Sequence, residues 1–495
     1  MEDPNRKGLS WKESQFGPRE PSWSYDPPIK AIEKVCRQKL EIADGSPCTV
    51  TFHAQGAFNK LYLVETPHHS THKKLMMRVT LPVDPHNKVR AEVATLRWVK
   101  RKTDIPVPAI ICFDDSSDND IGFAWMLMEI MPGTSAYKLW RKMTMDQKTA
   151  LVERVAEYED QLLRASSEAN FRHIGSLSVD DGEEENESPS PKPGRIVDHH
   201  WFMDDHFNYD DPDNEEEDID WINAFIKVAM KLLALLPKTF PSLQRPSERT
   251  YLWHSDLNMN NILLDDEGNI TAVLDWESLS CQPLWVSTQV PHFLLATRPR
   301  ERQPLRDGYA DDDGTIENST GLDNEGKNTL FWDHLMQWEQ TQLSKVYNAR
   351  MEQLRPAWEQ ERLDGALKRD FLLAAHQISL FCINVGYMEF WVDMAARGKV
   401  RDLMKVLRSR TYVKMAGDEE SEHWDLSDDE DSDSEEDSSD DESDEEEDGS
   451  GAEDAEAEDA KVEGAKAEDA ELDDVKAGDV KAGDVKAVAV SSKSD

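Results

Sequence analysis

Three polar residues in one short segment have the types and the spacing of a phosphoryl-transfer site. Asp256 is followed five residues later by Asn261, and Asp275 comes nineteen residues after Asp256. A carboxylate can orient and deprotonate a hydroxyl group, while an amide and a second carboxylate can hold Mg²⁺ against nucleotide phosphates. The spacing therefore predicts Asp256 as a catalytic base and Asn261 and Asp275 as Mg²⁺ ligands.

The sequence between these residues predicts how they are brought together. A short apolar run, Ile262–Leu264, is followed by the turn-forming residues Asp265–Asn269 and by the β-branched and apolar run Ile270–Leu274. Two such runs joined by a short polar turn predict a hairpin. A hairpin brings Asn261 and Asp275 to the same end.

The wider segment Tyr251–Leu284, with His254 before Asp256 and the triplet Asp275-Trp276-Glu277, resembles the catalytic segment of the aminoglycoside phosphotransferase family, which includes the choline kinase-like proteins. The resemblance is to uncharacterised fungal members. It implies ATP and Mg²⁺ as cofactors and a hydroxyl group of a small molecule as the phosphate acceptor. Two departures, Ser255 in place of the usual glycine and the loop Asn258–Asn260, alter the part that faces the acceptor.

The resemblance also implies roles for residues nearer the N-terminus. Gly56 lies in a loop that would cover the nucleotide phosphates, although an ordinary hairpin turn reads the same way. Arg78 stands where the family presents a phosphate-binding lysine, and arginine is not interchangeable with lysine. Glu92 would pair with Arg78, as the glutamate of a kinase helix pairs with its lysine. The alternative for Glu92 is a solvent-exposed helix position.

A hinge for adenine is implied at Met126–Gly133. Glu129 and Met131 would offer backbone groups to the ring, and Met128 would lie behind it. An apolar strand would have the same appearance. The acceptor pocket is expected in the helical lobe, including Trp201–Asp205 and Trp285.

The pattern of elements predicts an α+β, protein-kinase-like fold with two lobes: a small antiparallel-sheet N-lobe and a mostly helical C-lobe. Strands, one helix with apolar residues at helical spacing and further strands precede the hinge, and long amphipathic helices follow it. Long helices are predicted at Thr329–Arg362 and Leu367–Phe390. We expect a flexible arm at 1–28, the N-lobe at 29–131, the C-lobe at 132–416 with the catalytic segment 251–284 and acidic loop inserts, and a disordered acidic tail at 417–495.

Composition excludes several function classes. The net charge is −44 over 495 residues, and the excess of acidic residues is concentrated in the tail. Because a basic footprint is absent, nucleic-acid binding is not expected. The 5 cysteines lack paired spacing, so neither a disulfide framework nor a zinc site is predicted. No apolar run is long enough to span a membrane. We expect a cytoplasmic protein, with the nucleus as the alternative.

Two functions remain open from the sequence. The first is an ATP- and Mg²⁺-dependent phosphotransferase that acts on a small hydroxylated molecule. The second is a catalytically silent kinase-like scaffold, which the arginine at position 78 and the glycine-poor phosphate loop favour. Such a scaffold would bind partners through its acidic tail, and basic proteins would be the partners of that tail by charge complementarity.

Overall fold

The computed structural model describes residues 6–12, 19–179, 190–198, 202, 215–241, 248–309, 329–379, 385–399 and 402–408. All of them belong to one compact unit, Met1–Arg410. The predicted α+β class, with an antiparallel-sheet N-lobe and a helical C-lobe, is confirmed. The predicted disordered tail lies outside the described residues.

The N-lobe consists of a five-stranded antiparallel sheet with two helices and a separate two-stranded ribbon. The sheet has the strand order β3-β4-β5-β7-β6. In chain order the elements are β1 (Leu9–Lys12), β2 (Glu20–Trp23), α1 (Ile29–Lys39), β3 (Thr49–Gln55), β4 (Asn59–Glu65), β5 (Lys74–Thr80), α2 (Asn87–Lys102), β6 (Ile110–Asp114) and β7 (Ala124–Glu129).

Strand β5 lies in the middle of the sheet, and its side chains are buried on both faces. All of its residues after Lys74 are buried, and this includes Arg78. Arg78 lies opposite Leu61 of β4 and Met126 of β7 in the ladder. A charged side chain in such a position must find a partner, because a buried and unpaired charge is very costly. Helix α2 supplies that partner.

The ribbon β1–β2 lies within the segment 1–28 that the sequence predicts as a flexible arm. Its strands pair antiparallel from Leu9 with Trp23 to Lys12 with Glu20. The Trp23 ring packs against Phe123 at a centroid distance of 5.0 Å. The arm is thus attached to the sheet by aromatic contacts.

The C-lobe is built from helices around a small number of short strands. In chain order its elements are β8 (Thr134–Ser135), α3 (Ala136–Leu139), α4 (Met145–Ala169), β9 (Leu177–Ser178), β10 (Lys192–Pro193), α5 (Glu215–Thr239), β11 (Thr250–Trp253), β12 (Ile262–Leu264), β13 (Ile270–Val273), β14 (Ser280–Pro283), α6 (Leu284–Ser287), α7 (Thr329–Leu354), α8 (Trp358–Ser379), α9 (Val385–Ala396) and α10 (Leu403–Arg408). One apolar core joins α4, α7 and the hairpin formed by β12 and β13. We call this the catalytic hairpin, after its predicted role. A second apolar core joins α5, α8, α9 and α10.

The predicted limits of the late helices are wrong. The sequence predicts one helix over Thr329–Arg362, but α7 ends at Leu354 and α8 begins at Trp358. Proline lacks an amide hydrogen and disfavours helical conformation in the residue before it. Pro356 therefore divides the segment, and apolar periodicity on both sides of it conceals the break.

A buried acid on α4 makes the stability of the C-lobe depend on pH. Burial raises the pKa of Glu159 to about 8, against a hydrogen bond from the Tyr347 hydroxyl that lowers it. The folded state then holds a proton that the unfolded chain releases near its ordinary pKa. Stability is therefore lost as the pH rises from about 4.5 towards about 8.

We expect Glu159→Gln to remove this pH dependence, because the amide resembles the protonated acid in shape. Relative to the wild type, the variant should gain about 3 kcal/mol of unfolding free energy between pH 5 and pH 8. Chemical denaturation at both pH values measures the difference. An equal offset from the wild type at the two values would contradict a neutral Glu159.

Within the described residues, none of the helices combines the length and the apolar character needed to cross a membrane.

Candidate active site

The hinge is joined to the catalytic hairpin by a short strand. Immediately after the hinge, β8 pairs with β12, so β13, β12 and β8 form a three-stranded sheet. The Thr271 hydroxyl also donates to the Pro132 carbonyl at 2.5 Å. The backbones approach so closely that a Cβ atom at Gly133 would lie 2.7 Å from the Leu264 carbonyl oxygen. Gly133 has a φ of +118°, a conformation that favours glycine.

We expect Gly133→Ala to destabilise the protein by at least about 2 kcal/mol, because it adds both a clash and an unfavourable φ. Gly45→Ala is the matched control. Gly45 also has a positive φ, +84°, but no atom lies within 4 Å of a Cβ placed there. Thermal unfolding of the two variants measures the difference, and an equal loss in both would show that close packing of the hinge on the hairpin contributes nothing.

His254 braces the two ends of the catalytic segment. Its side chain is buried, its Nε2 lies 3.2 Å from the Leu274 carbonyl oxygen, and its ring packs edge-on against Trp276. Burial lowers the pKa of His254 to about 4, so the ring is neutral at physiological pH. A neutral ring that donates to Leu274 fixes the backbone just before Asp275. His254 thus has a structural position.

Asp256 and Asn261 are tied to each other at the base of the hairpin. Asp256 is exposed, and its Oδ1 accepts a hydrogen bond from Asn258 Nδ2 at 3.0 Å. Asn261 Nδ2 donates to the Asp256 backbone carbonyl at 2.9 Å. Since the amide nitrogen is engaged in this way, the amide oxygen of Asn261 is the atom available to a cation. The Leu274 amide donates to the Asn261 carbonyl at 2.7 Å, which closes the hairpin beside Asp275.

Arg78 and Glu92 form a buried ion pair between β5 and α2. Arg78 Nη1 donates to Glu92 Oε1, and both side chains are almost completely buried. Burial alone would lower the pKa of Arg78, but the carboxylates of Glu92, Glu277 and Asp275 raise it. The guanidinium group therefore stays charged. The contact predicted between Arg78 and Glu92 is present in the structure.

Glu277 connects the lobes through three donors that all come from the N-lobe. Its Oε2 accepts from Arg78 Nη2, from Lys88 Nζ at 2.5 Å and from Asn59 Nδ2 at 2.9 Å. Burial would raise the pKa of Glu277, but Lys88 and Arg78 lower it to about 2. Glu277 thus forms salt bridges with both Arg78 and Lys88.

Lys88 and Asn59 also belong to this cluster, although neither was predicted there from the sequence. Lys88 is a buried lysine on α2, and Asn59 is the first residue of β4 after the phosphate loop. Lys88 precedes Glu92 by four residues and so lies on the same face of the helix. That spacing was the available signal. Nothing in the local sequence of Asn59 indicates a partner more than two hundred positions away.

Asp275 occupies a strained backbone position beside Arg78. Its φ is +61°, which is uncommon for a residue other than glycine and is often found at functional sites. Its Oδ1 lies 3.9 Å from Arg78 Nη2, and its side chain is 40% exposed. Partial burial and the neighbouring Glu277 raise the pKa of Asp275, while Arg78 opposes the shift. A cation at this carboxylate would stabilise its charged form.

The loop between β3 and β4 contains Gly56. The Gly56 amide donates to the Asn59 carbonyl at 2.9 Å. A Cβ at Gly56 would meet only that carbonyl oxygen, at 4.0 Å. The fold itself therefore does not require glycine at position 56.

The hinge residues lie at the end of β7. Met128 pairs with Met76 of β5 in the sheet. The Glu129 amide donates to the Ala109 carbonyl at 2.9 Å, so this backbone donor is engaged. Met131 lies two residues after the end of β7 and is partly exposed.

Phe202, the one described residue of the segment Trp201–Asp205 expected at the acceptor pocket, packs on the N-lobe. Phe202 is buried with Leu81, Val83 and Ala91, and its ring lies edge-on to Phe58 of the phosphate loop at 5.2 Å. Trp201 and residues 203–205, which were predicted with it, lie outside the described residues. Trp285 packs against Phe240 within the helical lobe, with the ring centroids 5.6 Å apart.

The structure thus brings Arg78, Glu92, Asp275 and Glu277 into one cluster and attaches Asp256 and Asn261 to it through the hairpin. Among the described residues, no three His, Cys, Asp or Glu side chains group as a ready-made metal site. One amide oxygen and one carboxylate instead match the needs of Mg²⁺, which commonly keeps waters and takes its remaining ligands from substrate phosphates.

A family model, the phosphotransferase enzyme family (APH), matches residues 49–287 of the chain. The matched range begins with β3 and ends with α6. It therefore contains the phosphate loop, the Arg78–Glu92 pair, the hinge and the catalytic segment.

Similar proteins of known sequence include fungal ones. A subtelomeric hrmA-associated cluster protein of Aspergillus fumigatus is 26% identical over 126 residues, which cover 25% of this chain and 23% of that protein. Altered inheritance of mitochondria protein 9 of Candida tropicalis is 24% identical over 137 residues, covering 26% of this chain and 21% of that protein. The chain thus spans less than a quarter of the length of these relatives.

Similar solved structures include two kinds of small-molecule kinase. A thermostable mutant of aminoglycoside phosphotransferase APH(4)-Ia, in complex with AMP-PNP and hygromycin B, shares 14% identity with a TM-score of 0.36. The match covers 77% of this chain and 99% of that one. Choline kinase from Cryptosporidium parvum shares 12% identity with a TM-score of 0.35, over 76% of this chain and 99% of that one.

Proposed function

Because residues 49–287 belong to the phosphotransferase enzyme family, we propose that the protein transfers the γ-phosphoryl group of ATP to a hydroxyl group of a small molecule, with Mg²⁺ as the metal. The observation that carries the proposal is the arrangement around Arg78. Its guanidinium group is held by Glu92 of the N-lobe and Glu277 of the C-lobe, 3.9 Å from the carboxylate of Asp275. A fixed cation beside a partly exposed carboxylate is what a Mg²⁺–triphosphate complex requires.

Asp256 would accept the proton of the acceptor hydroxyl and orient that group. The side chain is exposed, and its Oδ1 accepts from Asn258 Nδ2 at 3.0 Å while its Oδ2 accepts from Asn261 Nδ2 at 3.4 Å. Each carboxylate oxygen has a second lone pair, so the exposed group can still accept from the acceptor hydroxyl. Positioning of this kind, together with proton transfer, is the chief contribution that a protein base makes to phosphoryl transfer.

Mg²⁺ would be held by Asn261 Oδ1 and by the Asp275 carboxylate. The hydrogen bond from Asn261 Nδ2 to the Asp256 carbonyl fixes which end of the amide faces the ion. The ion would neutralise phosphate charge during transfer. Arg78 would contact the same phosphates through the N–H groups that its two carboxylate partners leave over, since a guanidinium group carries five.

Adenine would bind at the hinge. Because the Glu129 amide is engaged by Ala109, the backbone of Met131 is the donor we assign to the ring. Met128 would lie behind the ring, and Gly56 would let the phosphate loop approach the nucleotide.

Incubation of the full chain with γ-labelled ATP, Mg²⁺ and a panel of hydroxylated metabolites tests the reaction. We expect transfer of label to at least one acceptor, and transfer slowed by about 10²–10⁴-fold in Asp256→Asn. A wild-type protein that binds MgATP but transfers to no acceptor and hydrolyses no ATP would contradict the proposal and favour a silent scaffold.

The variant Gly56→Val is expected to weaken nucleotide binding without affecting the stability of the fold. Since the space beyond Gly56 is open to within 4.0 Å, we expect the melting temperature of the nucleotide-free protein to stay within about 2 °C of the wild type. The Kd for MgATP should rise about tenfold, because the new side chain occupies space that the phosphates need. Thermal-shift titration with MgATP measures both quantities. An unchanged Kd would remove the loop from the site.

A further inference from the structure

Lys88 is a positively charged residue at the proposed nucleotide site. The family resemblance implied no role for it. It lies in the first turn of α2, and its side chain is only 2% exposed. Burial of a lysine is costly unless its charge is paired. Its Nζ lies 2.5 Å from Glu277 Oε2 and 3.1 Å from Asn59 Oδ1.

The bonds around Lys88 form a closed network. Asn59 Oδ1 accepts from both Lys88 Nζ and Thr80 Oγ1, and Asn59 Nδ2 donates to Glu277. The side-chain amide is therefore fixed in one orientation. The network joins the end of the phosphate loop, the first turn of α2 and the catalytic segment. Among the described residues, Glu277 is the member that the C-lobe contributes to these hydrogen bonds.

The charges of the cluster show what Lys88 contributes. Three carboxylates, those of Glu92, Asp275 and Glu277, surround Arg78. With Arg78 as the only cation, this group would carry a net charge of about −2 when all the acids are ionised, and it would repel a triphosphate. Lys88 offsets one of these charges and holds Glu277.

We propose that Lys88 is a positioning residue for nucleotide binding: by neutralising Glu277 and tying it to Asn59, it leaves Arg78 able to bind the phosphates of MgATP and fixes the two lobes about that site. This inference rests on the proposed function and adds a residue to it. Lys88 itself does not touch the nucleotide, because its ammonium group is enclosed by protein atoms.

The variant Lys88→Met tests the proposal, with Lys60→Met as a matched control. Lys60 is also a buried lysine of the N-lobe, but it pairs with Asp26 and lies over the Trp23 ring, 4.6 Å from its centroid. We expect Lys88→Met to raise the Kd for MgATP at least tenfold and to raise KM more than it lowers kcat. Lys60→Met should leave the Kd within about threefold, and Lys88→Arg should restore part of the affinity.

A double-mutant cycle measures the coupling between Lys88 and Glu277 in MgATP binding. Because each single variant removes one member of the Lys88–Glu277 pair, the double variant Lys88→Met/Glu277→Gln should bind MgATP more tightly than the two single effects predict together. If Lys88→Met does not fold, Glu277→Gln alone, which keeps the shape of the side chain, takes its place with the same readout.

The outcomes separate this inference from the function on which it rests. Wild-type binding of MgATP with an unchanged Kd in Lys88→Met, or an equal change in Lys60→Met, would overturn the role of Lys88 alone. A wild-type protein that fails to bind MgATP would overturn the proposed function and this role together. Additive effects in the cycle would show that Lys88 does not act through Glu277.

Discussion

Asp256→Asn is expected to lower the rate of phosphoryl transfer by about 10²–10⁴-fold, the usual contribution of a positioned base. The substitution keeps the shape of the side chain and its ability to accept the hydrogen bond from Asn258. We therefore expect the melting temperature and the Kd for MgATP to remain close to those of the wild type. Single-turnover transfer from labelled ATP measures the rate, and thermal shift measures the nucleotide affinity.

Asp266→Asn is the control for Asp256→Asn. Asp266 is an exposed aspartate in the turn of the same hairpin, so it has the same chemistry without the proposed role. It should leave the rate within about twofold. A rate in Asp256→Asn that equals that of Asp266→Asn would remove Asp256 as the base.

Arg78→Met is expected to lose both stability and nucleotide binding. The substitution leaves the buried carboxylate of Glu92 without its partner, and Glu92 Oε2 already has no hydrogen-bond partner. Removal of one member of a buried ion pair costs about 3–5 kcal/mol. Burial already raises the pKa of Glu92, so the acid should take up a proton and limit the loss. Thermal and chemical unfolding measure the effect.

Two further variants make this measurement specific. Arg78→Lys keeps the charge but lacks the planar guanidinium group that contacts Glu92 and Glu277 through separate N–H groups. Its stability and its affinity for MgATP should therefore lie between those of the wild type and of Arg78→Met. Lys345→Met removes an exposed lysine paired with the exposed Glu301, and it should cost less than about 1 kcal/mol. Equal losses in Arg78→Met and Lys345→Met would show that the pair with Glu92 contributes nothing beyond a surface contact.

Local patterns predicted the parts of the site that are close together in sequence. The two apolar runs and the polar turn between Asn261 and Asp275 were enough to predict the hairpin, since a two-strand unit with a polar turn is specified by its own residues. The contact between Arg78 and Glu92 was predicted from the resemblance to kinases, and the order of the strand and the helix supported it. The roles of these residues towards ATP and Mg²⁺ remain predictions.

Contacts between distant segments could not be predicted. The carboxylate of Glu277 meets Lys88 and Asn59 only because the two lobes face each other, and no local rule encodes that arrangement. Phe202 is a similar case, because an aromatic residue between two acidic inserts gives no sign that it packs on Phe58. Pro356 is visible in the sequence, but the apolar pattern continues on both sides of it. That pattern conceals the break that the missing amide hydrogen causes.

Calorimetric titration of the full chain with ATP, in the presence and absence of Mg²⁺, tests the central claim most directly. The cluster of Arg78, Asp275 and Glu277 predicts saturable binding with a Kd in the micromolar to millimolar range typical of such sites. It also predicts that removal of Mg²⁺, or the substitution Asp275→Asn, weakens binding at least tenfold. Absence of binding, or binding that neither change affects, would contradict a nucleotide–metal site at this cluster.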